Sequence, residues 1–229
     1  MNSYKFFKTV FIFNVLLIFL LSLSVVYSED VNNHTFIEKY DDDCTLIGES
    51  ENEELLGRTY SLNGGKFSDI QKIVDKAKSG DAIKLTGSFK SEGKQITINK
   101  KLTITSTDKA ILDGNGKSRI FKINSNAKGI KINNIIFKGA YSKNNGGAIY
   151  LNASNAIITK CSFNNCIAHS GGAISTSTAD HITNLAIKDS KFYSNHGVSA
   201  GGAILYAGKN LEITSSSFDN NYIQLASDG

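Results

Sequence analysis

One tetrapeptide, Gly-Gly-Ala-Ile, occurs three times in this chain and limits its fold more than any other feature. Its glycine pairs are Gly146 and Gly147, Gly171 and Gly172, and Gly201 and Gly202. Each copy follows a phenylalanine by eight or nine residues, and a fourth phenylalanine comes later. The four are spaced by 26, 29 and 26 residues, at Phe137, Phe163, Phe192 and Phe218. A period of this length is typical of a repeat protein.

The repeats come into register when they are aligned on their phenylalanines. Five residues before them lie Ile132, Ile158, Ile187 and Ile213, and seven before lie Ile130, Ala156, Leu185 and Leu211. The positions between are mostly polar, which gives the period of two that strands show. Columns that stay apolar through four repeats predict side chains stacked inside a cylinder, as in an all-β parallel β-helix. An antiparallel β-sandwich would give no reason for columns in register.

The glycine pairs are predicted to form sharp corners of the coil. Glycine is the residue for a positive φ or for a close approach of two backbones. Ala148 and Ile149 then enter the next strand, which Leu151 continues inward.

The N-terminal part of the chain carries export and linker signals. Lys5 and Lys8 precede an apolar stretch, and small residues follow it, so residues 1–28 are predicted to be a secretory signal peptide. An uncleaved membrane anchor is the alternative, and either way the remainder lies outside the cell. Residues 29–66 form an acidic leader, with ten acids against one base in residues 29–54.

The rest of the chain is basic. From Leu55 onward it carries 22 bases and 11 acids. Such a body favours polyanionic partners such as acidic wall polymers, and a lysine-rich solvated exterior is the alternative. No nucleic-acid module is indicated, because the basic residues are not interleaved with aromatic residues in a known pattern.

A helix is expected to close the first coil. Residues 67–78 place Ile70, Ile73, Val74 and Ala77 on one face, and Ser68 with Gln71 fits a capping box. The helix, with its Ser-Gly stop, makes residues 67–80 an N-terminal cap for a β-helix that spans residues 67–229. Arg119–Ile123 takes the place in the first coils that Gly-Gly-Ala-Ile takes later.

The three cysteines do not indicate a disulfide framework or a zinc site. Cys161 falls in the small inward column and is predicted to be a buried thiol, and a bridge to Cys166 is left open. Cys44 belongs to the acidic leader, and the chain has no CxxC spacing.

No catalytic, cofactor-binding or metal-binding residue is predicted. The acids of the repeats fail to fall into one column, at Asp180, Asp189, Glu212 and Asp219. Asp113 lies in a turn motif, ILDGNG, and neither Arg58 nor Arg119 is near an acid cluster in the sequence. The histidines occupy different offsets and are interpreted as solvated, at His169, His181 and His196. Two sequons, at Asn33 and Asn152, are candidates for glycosylation of an exported chain.

Taken together, the helix, the ILDGNG turn and the coils with GGAI and F-x-x-N resemble a known family. They are similar to the adhesin-like surface proteins of methanogenic archaea, which carry repeats of the polymorphic-outer-membrane-protein type. The F-x-x-N pattern is met at Asn195 and Asn221, whereas Cys166 and Ala140 replace the asparagine in the earlier coils. The resemblance implies the right-handed β-helix of pectate-lyase-like proteins, with no cofactor and no family-wide active site.

The resemblance also implies a function at the cell surface. We expect a secreted or cell-surface protein that binds extracellular glycans or another cell surface without catalysis, and that meets the membrane only through an uncleaved signal. A degenerate or truncated carbohydrate-active enzyme, either a polysaccharide lyase or a glycoside hydrolase, is the alternative, and a remnant without function is a third. The last coil is expected to be incomplete, because a fourth glycine pair would be due near Gly229.

Overall fold

The computed structural model describes residues 57–176 and 182–223. The chain divides into two units, Met1–Glu51 and Asn52–Gly229, and every described residue belongs to the second. The predictions for the signal peptide, for Asn33, for Cys44, for Asp180 and for His181 fall outside the described residues.

The described elements are short strands with one α-helix and one 3-10 helix. In chain order they are β1 (Thr59–Lys66), α1 (Phe67–Lys76), β2 (Ala82–Lys90), β3 (Ile96–Ile98), β4 (Thr103–Asp113), β5 (Phe121–Ile123), the 3-10 helix (Ser125–Ala127), β6 (Lys131–Lys138), β7 (Tyr141–Ser142), β8 (Ile149–Leu151), β9 (Ile157–Thr159), β10 (Ser162–Asn164), β11 (Ile167–Ser170), β12 (Ile174–Thr176), β13 (Thr183–Lys188), β14 (Lys191–Tyr193), β15 (His196–Ala200), β16 (Ile204–Leu205), β17 (Lys209–Thr214), β18 (Ser217–Asp219) and β19 (Tyr222–Ile223).

These strands form three sheets that wind into a parallel β-helix of about six turns, which confirms the predicted fold class. Sheet A contains β1, β2, β4, β6, β9, β10, β13, β14, β17 and β18; sheet B contains β3, β5, β8, β12 and β16; sheet C contains β7, β11, β15 and β19. Each strand pairs in parallel with the equivalent strand of the next coil, so that Ile158 pairs with Ile132 on one side and with Ile187 on the other.

The phenylalanine column forms the centre of the core. Successive ring centroids lie 4.7 Å apart from Phe137 to Phe163 and from Phe163 to Phe192, with the ring planes within 4° of parallel. This spacing is the distance between neighbouring strands. Burying one such ring contributes roughly 1.5–3 kcal/mol, so the column is a main source of stability.

Both glycines of each pair are required, because neither position has room for a side chain; a Cβ on Gly146 would overlap the Ile149 carbonyl oxygen. The first also has a positive φ, which is 70° at Gly146 and 63° at Gly171. At the second position, a Cβ on Gly172 would overlap the carbonyl oxygen of Gly202. The corner predicted from the tetrapeptide is therefore confirmed. Arg119 takes the position of Gly147 in the equivalent corner of the earlier coil, because Phe121 pairs with Ile149.

Three further corners of the coil use non-glycine residues with positive φ, and one of them keeps asparagine, at Asn155, Asn184 and Asn210. The second carries Asn134, Lys160, Asp189 and Ser215 in successive coils, and the third carries Asn165, Ser194 and Asn220. The residues of the second and third corners share a left-handed backbone and not a chemical group. Asp189 is therefore a corner residue, in keeping with the expectation that the repeat acids do not stack into one column.

Polar side chains follow these corners into the interior and bind the backbone of adjacent coils. Asn195 Oδ1 accepts the Cys166 N–H at 3.1 Å, while Asn195 Nδ2 donates to the Phe163 carbonyl at 2.9 Å. Asn221 repeats the pattern one coil later, donating to the Phe192 carbonyl at 2.9 Å. The F-x-x-N asparagines thus form an internal ladder, which Cys166 ends as the sequence predicts.

The helix α1 covers the first coil and begins at Phe67 as predicted, but with a different cap. Its N-cap is Lys66, whose N–H donates to Asp69 Oδ2 at 3.1 Å, so Ser68 and Gln71 do not form the capping box. Starting at Phe67 places this ring beside the other buried residues of the helix, Ile70 and Val74. The helix ends at Lys76, before the predicted stop.

Gln71 instead closes the edge of sheet B. Its Oε1 accepts the Thr97 N–H at 2.7 Å and its Nε2 donates to the Thr97 carbonyl at 3.2 Å. The side-chain amide therefore takes the place of a neighbouring strand on β3, which protects an otherwise open edge.

The predicted start of the β-helix at residue 67 is wrong, because β1 already pairs in parallel with β2.

Candidate functional site

The outward side of sheet C carries a column of exposed aromatic and apolar side chains. Tyr141, Ile167, His196 and Tyr222 lie directly opposite one another in β7, β11, β15 and β19. Tyr141 is 37% exposed, Ile167 38% and Tyr222 53%. We call the outward side chains of residues 141–145, 167–170, 196–200 and 222–223 the sheet C face.

Strand alternation places these residues outward. In β11, Ile167 and His169 are exposed while Ala168 and Ser170 are buried. The inward residues are small because the glycine corner passes close to the strand, and a Cβ on Gly147 would lie 2.7 Å from the Ile167 carbonyl oxygen. The fold thus leaves the large side chains of this strand on the outside.

His196 is more enclosed than the sequence indicates. Its ring stacks on Tyr222, with the centroids 4.6 Å apart and the planes 14° from parallel. Its Nε2 is buried without a hydrogen-bond partner among the described residues. The interpretation of His196 as a solvated corner residue is therefore wrong, whereas His169 is exposed.

Beside the column, Arg119 fills the corner between sheets C and B. Its Nε donates to the Gly146 carbonyl at 2.8 Å and its Nη1 to Gln95 Oε1 at 2.7 Å. Its Nη2 donates to Ser142 Oγ at 2.9 Å and to the Asn145 carbonyl at 2.8 Å. These four acceptors are neutral oxygens, and they hold the guanidinium in one orientation.

The surroundings of Arg119 form an open depression with basic walls. Its volume is about 380 Å³, and the lining consists of Gly93, Lys94, Gln95, Lys117, Ser118, Arg119, Ser142 and Asn144. We call it the Arg119 depression. Burial lowers the pKa of the guanidinium, and the guanidinium also lies over the Tyr150 ring, 5.3 Å from its centroid.

The charge around this surface has one sign. The sheet C face and the Arg119 depression together carry Lys94, Lys117, Arg119 and Lys143, and they contain no aspartate or glutamate. The three ion pairs formed within residues 57–176 and 182–223 join Lys66 to Glu92, Lys72 to Asp69 and Lys188 to Glu212. None of these pairs neutralises the four basic residues.

The acids do not converge into a site. Asp113 Oδ1 accepts the Asn115 N–H at 2.8 Å, which confirms the turn interpretation of ILDGNG. Glu212 pairs with Lys188 at 2.9 Å on sheet A. In the described part of the chain, no three histidine, cysteine or acidic side chains lie close enough together to hold a metal ion.

The cysteines are buried thiols. Cys161 and Cys166 are both free, so the bridge left open by the sequence is absent. The Cys161 thiol donates to the Thr159 carbonyl at 3.2 Å. In the same inward column, Ser190 takes the equivalent position of the next coil, and its hydroxyl accepts the Cys161 N–H. Burial raises the pKa of each thiol to about 12, which keeps both protonated and unreactive at neutral pH.

Two further predictions concern the outer surface. Asn152 follows β8 and is half-buried, and its glycosylation stays a prediction. The helices within the described residues are all too short or too polar to cross a membrane.

The sequence did not reveal the sheet C face, because the repeat was recognised from residues that are identical from coil to coil and the residues of this face are not. The signal that would have found it is the position four residues after each phenylalanine, which holds Tyr141, Ile167, His196 and Tyr222. These residues differ chemically, although three of the four have aromatic rings.

Comparison with known proteins places the chain in a family through its coils. No curated protein and no solved structure gives a significant match. One family model matches residues 87–225, which begin within β2 and include every later coil that the structure describes. The chain therefore belongs to the family described as Domain of unknown function (DUF4957).

Proposed function

We propose that this chain is a secreted or cell-surface, adhesin-like β-helix protein that binds extracellular glycans through the sheet C face. Binding on this proposal is not coupled to catalysis. The ligand is a glycan of the surroundings or of another cell surface.

The observation that carries the proposal is the exposed column on sheet C. Tyr141, Ile167 and Tyr222 present apolar surface in register on a hydrogen-bonded sheet. A tyrosine offers an apolar ring face and a polar hydroxyl, which suits a ligand that is apolar on one side and hydrated on the other. A sugar ring has this character. Exposed apolar groups that form a continuous row mark interaction surfaces.

The positions of the acids support binding without hydrolysis. A glycoside hydrolase needs two carboxylates about 5 to 9.5 Å apart across one bond. Asp189 lies at a left-handed corner, Asp113 caps a turn and Glu212 pairs with a lysine. These three acids have structural positions, and no acid lines the Arg119 depression.

Export and family resemblance support the location. The predicted signal peptide at residues 1–28 directs the chain out of the cell. The resemblance to adhesin-like proteins of methanogenic archaea, with polymorphic-outer-membrane-protein repeats on a pectate-lyase-like β-helix, supports a role in surface attachment. N-terminal sequencing of the exported chain tests whether cleavage follows Ser28.

A glycan array with the full chain tests the binding proposal. We expect retention of a subset of glycans, and Tyr141→Ala should weaken that binding about 5- to 10-fold through loss of one stacking contact. Tyr141→Phe keeps the ring and is the control, with binding close to that of the unmodified chain. Binding to no glycan, or equal binding by Tyr141→Ala, would contradict the proposal.

A separate assay addresses the enzymatic alternative. Incubation with acidic polysaccharides should release neither unsaturated nor reducing ends. Their release, lost in Asp189→Asn, would replace the binding proposal with a degenerate carbohydrate-active enzyme.

A further inference from the structure

We propose that the Arg119 depression holds the anionic group of the bound glycan, so that the ligand class is an acidic polysaccharide carrying carboxylate or sulfate groups. This inference rests on the proposed glycan-binding function and adds the charge of the ligand to it.

The first argument is the uncompensated charge of Arg119. Its hydrogen bonds go to two backbone carbonyls, a side-chain amide and a hydroxyl. Within the described ranges, no carboxylate lies in ion-pair distance of it. A partly buried cation without an anion is costly, and a bound oxyanion would compensate it.

The second argument is the lining of the depression. Lys94 and Lys117 are exposed at its walls, and Asn144 adds an amide. Every charged side chain in the lining is positive. Lysine and arginine with neutral hydrogen-bonding groups are the side chains that recognise carboxylate and sulfate oxygens.

The third argument is position. Ser142, which accepts a hydrogen bond from Arg119, directly follows Tyr141 in β7. The Tyr141 N–H in turn donates to the Ser118 carbonyl at 3.0 Å, and Ser118 lines the depression. The anion site and the aromatic column therefore meet at one strand, where a single glycan chain can contact both.

Matched ligand pairs test the inference with the full chain. One pair is α-1,4-linked tetragalacturonate and its neutral methyl ester; the other is a sulfated galactan oligosaccharide and its desulfated form. Titration calorimetry at low salt should show the charged member of at least one pair binding at least about tenfold more tightly. The pair that shows the difference identifies the anion as carboxylate or sulfate.

Charge-neutral variants then locate the site. Lys94→Gln/Lys117→Gln removes two exposed charges from the depression and should weaken binding of the charged ligand about 5- to 20-fold. Lys128→Gln/Lys131→Gln removes two exposed charges elsewhere on the coil and is the matched control, with little effect expected. Arg119 is left unchanged because its four hydrogen bonds also hold the corner.

The outcomes separate this inference from the proposed function. Equal binding of the charged and neutral ligands overturns the acidic ligand, and equal losses in the two double variants overturn the Arg119 depression as the anion site; either result leaves glycan binding in place. If neither member of either pair binds and the array also shows no ligand, both proposals fall.

Discussion

The inward and outward sides of the same coils follow different rules. Inside, Phe137, Phe163 and Phe192 repeat one residue at one position and stack 4.7 Å apart. Four residues later on the outside, one position changes from tyrosine to isoleucine to histidine and back to tyrosine. The inward side has to fit the coils above and below, whereas the outward side does not. The repeat therefore specifies the scaffold, and on our binding proposal the non-repeating outward residues specify the ligand.

The largest effect should come from the phenylalanine column. Phe163→Ala leaves a cavity between two stacked rings and is expected to lower the free energy of unfolding by about 3–5 kcal/mol. Phe218→Ala removes the same ring where 47% of the residue is exposed, so it should cost about half as much or less. Urea unfolding followed by circular dichroism measures both. Equal losses would show that the column does not depend on neighbours on both sides.

The glycine corners should rank second. A Cβ on Gly172 would lie 2.6 Å from the backbone nitrogen of His196, so Gly172→Ala is expected to cost about 2–3 kcal/mol. Gly116 has a positive φ, unlike Gly172, but nothing within 4 Å of its Cβ position, so Gly116→Ala should cost only about 1 kcal/mol. Thermal unfolding of the two variants compares the cost of a steric overlap at Gly172 with the cost of left-handed backbone strain at Gly116. The reverse order would contradict the steric account of the second glycine.

The internal asparagine ladder should contribute less than the glycine corners or about the same. Asn195→Ala leaves a buried N–H and a buried carbonyl unpaired, with an expected cost of about 1–3 kcal/mol. Asn184 forms a similar ladder on the outside, donating to Asn155 Oδ1 at 2.8 Å. Asn184→Gly keeps the left-handed backbone and should change stability by about 0.5 kcal/mol or less. Comparable losses at both sites would mean that burial does not determine how much these hydrogen bonds contribute to stability.

A smaller effect concerns the pH dependence of stability. Burial raises the pKa of the Cys161 and Cys166 thiols from 9.0 to about 12. The folded state therefore favours the protonated thiols, and its stability should decline as pH rises from 9 towards 12, where the unfolded thiols ionise first. In a Cys44→Ser background at pH 8, a thiol reagent should modify neither cysteine until urea unfolds the chain. Rapid modification of the folded protein would contradict their burial.

The sequence predicts the inward half of the molecule well, for a physical reason. Stacked coils need the same residue in the same column, so the repeat alone assigns Ile158, Phe163 and Gly172 to their positions in the coil. The N-cap of α1 is not predictable in this way, because the local capping pattern at Ser68 competes with the burial of Phe67 against the coil. The corners at Lys160 and Asp189 share a backbone angle and no side-chain chemistry, so no residue pattern reveals them.

The outward half is harder because its members do not resemble one another. Tyr141 and His196 fall in one column only because the left-handed corners fix how the strands of successive coils align. Arg119 is isolated in the sequence, since the groups that surround it come from Gln95, Ser142 and Asn145 in other coils. The coil brings these groups together across 23 to 26 positions of the chain.

Two isoleucines of equal exposure give the most direct test that the sheet C face binds the ligand. Ile167 on sheet C is 38% exposed and Ile157 on sheet A is 37% exposed. Ile167→Ser and Ile157→Ser should change the free energy of unfolding by similar small amounts, about 1 kcal/mol or less. Titration with a glycan selected on the array should show several-fold weaker binding for Ile167→Ser alone. Unchanged binding by Ile167→Ser, or an equal loss in both variants, would contradict the assignment of binding to the sheet C face.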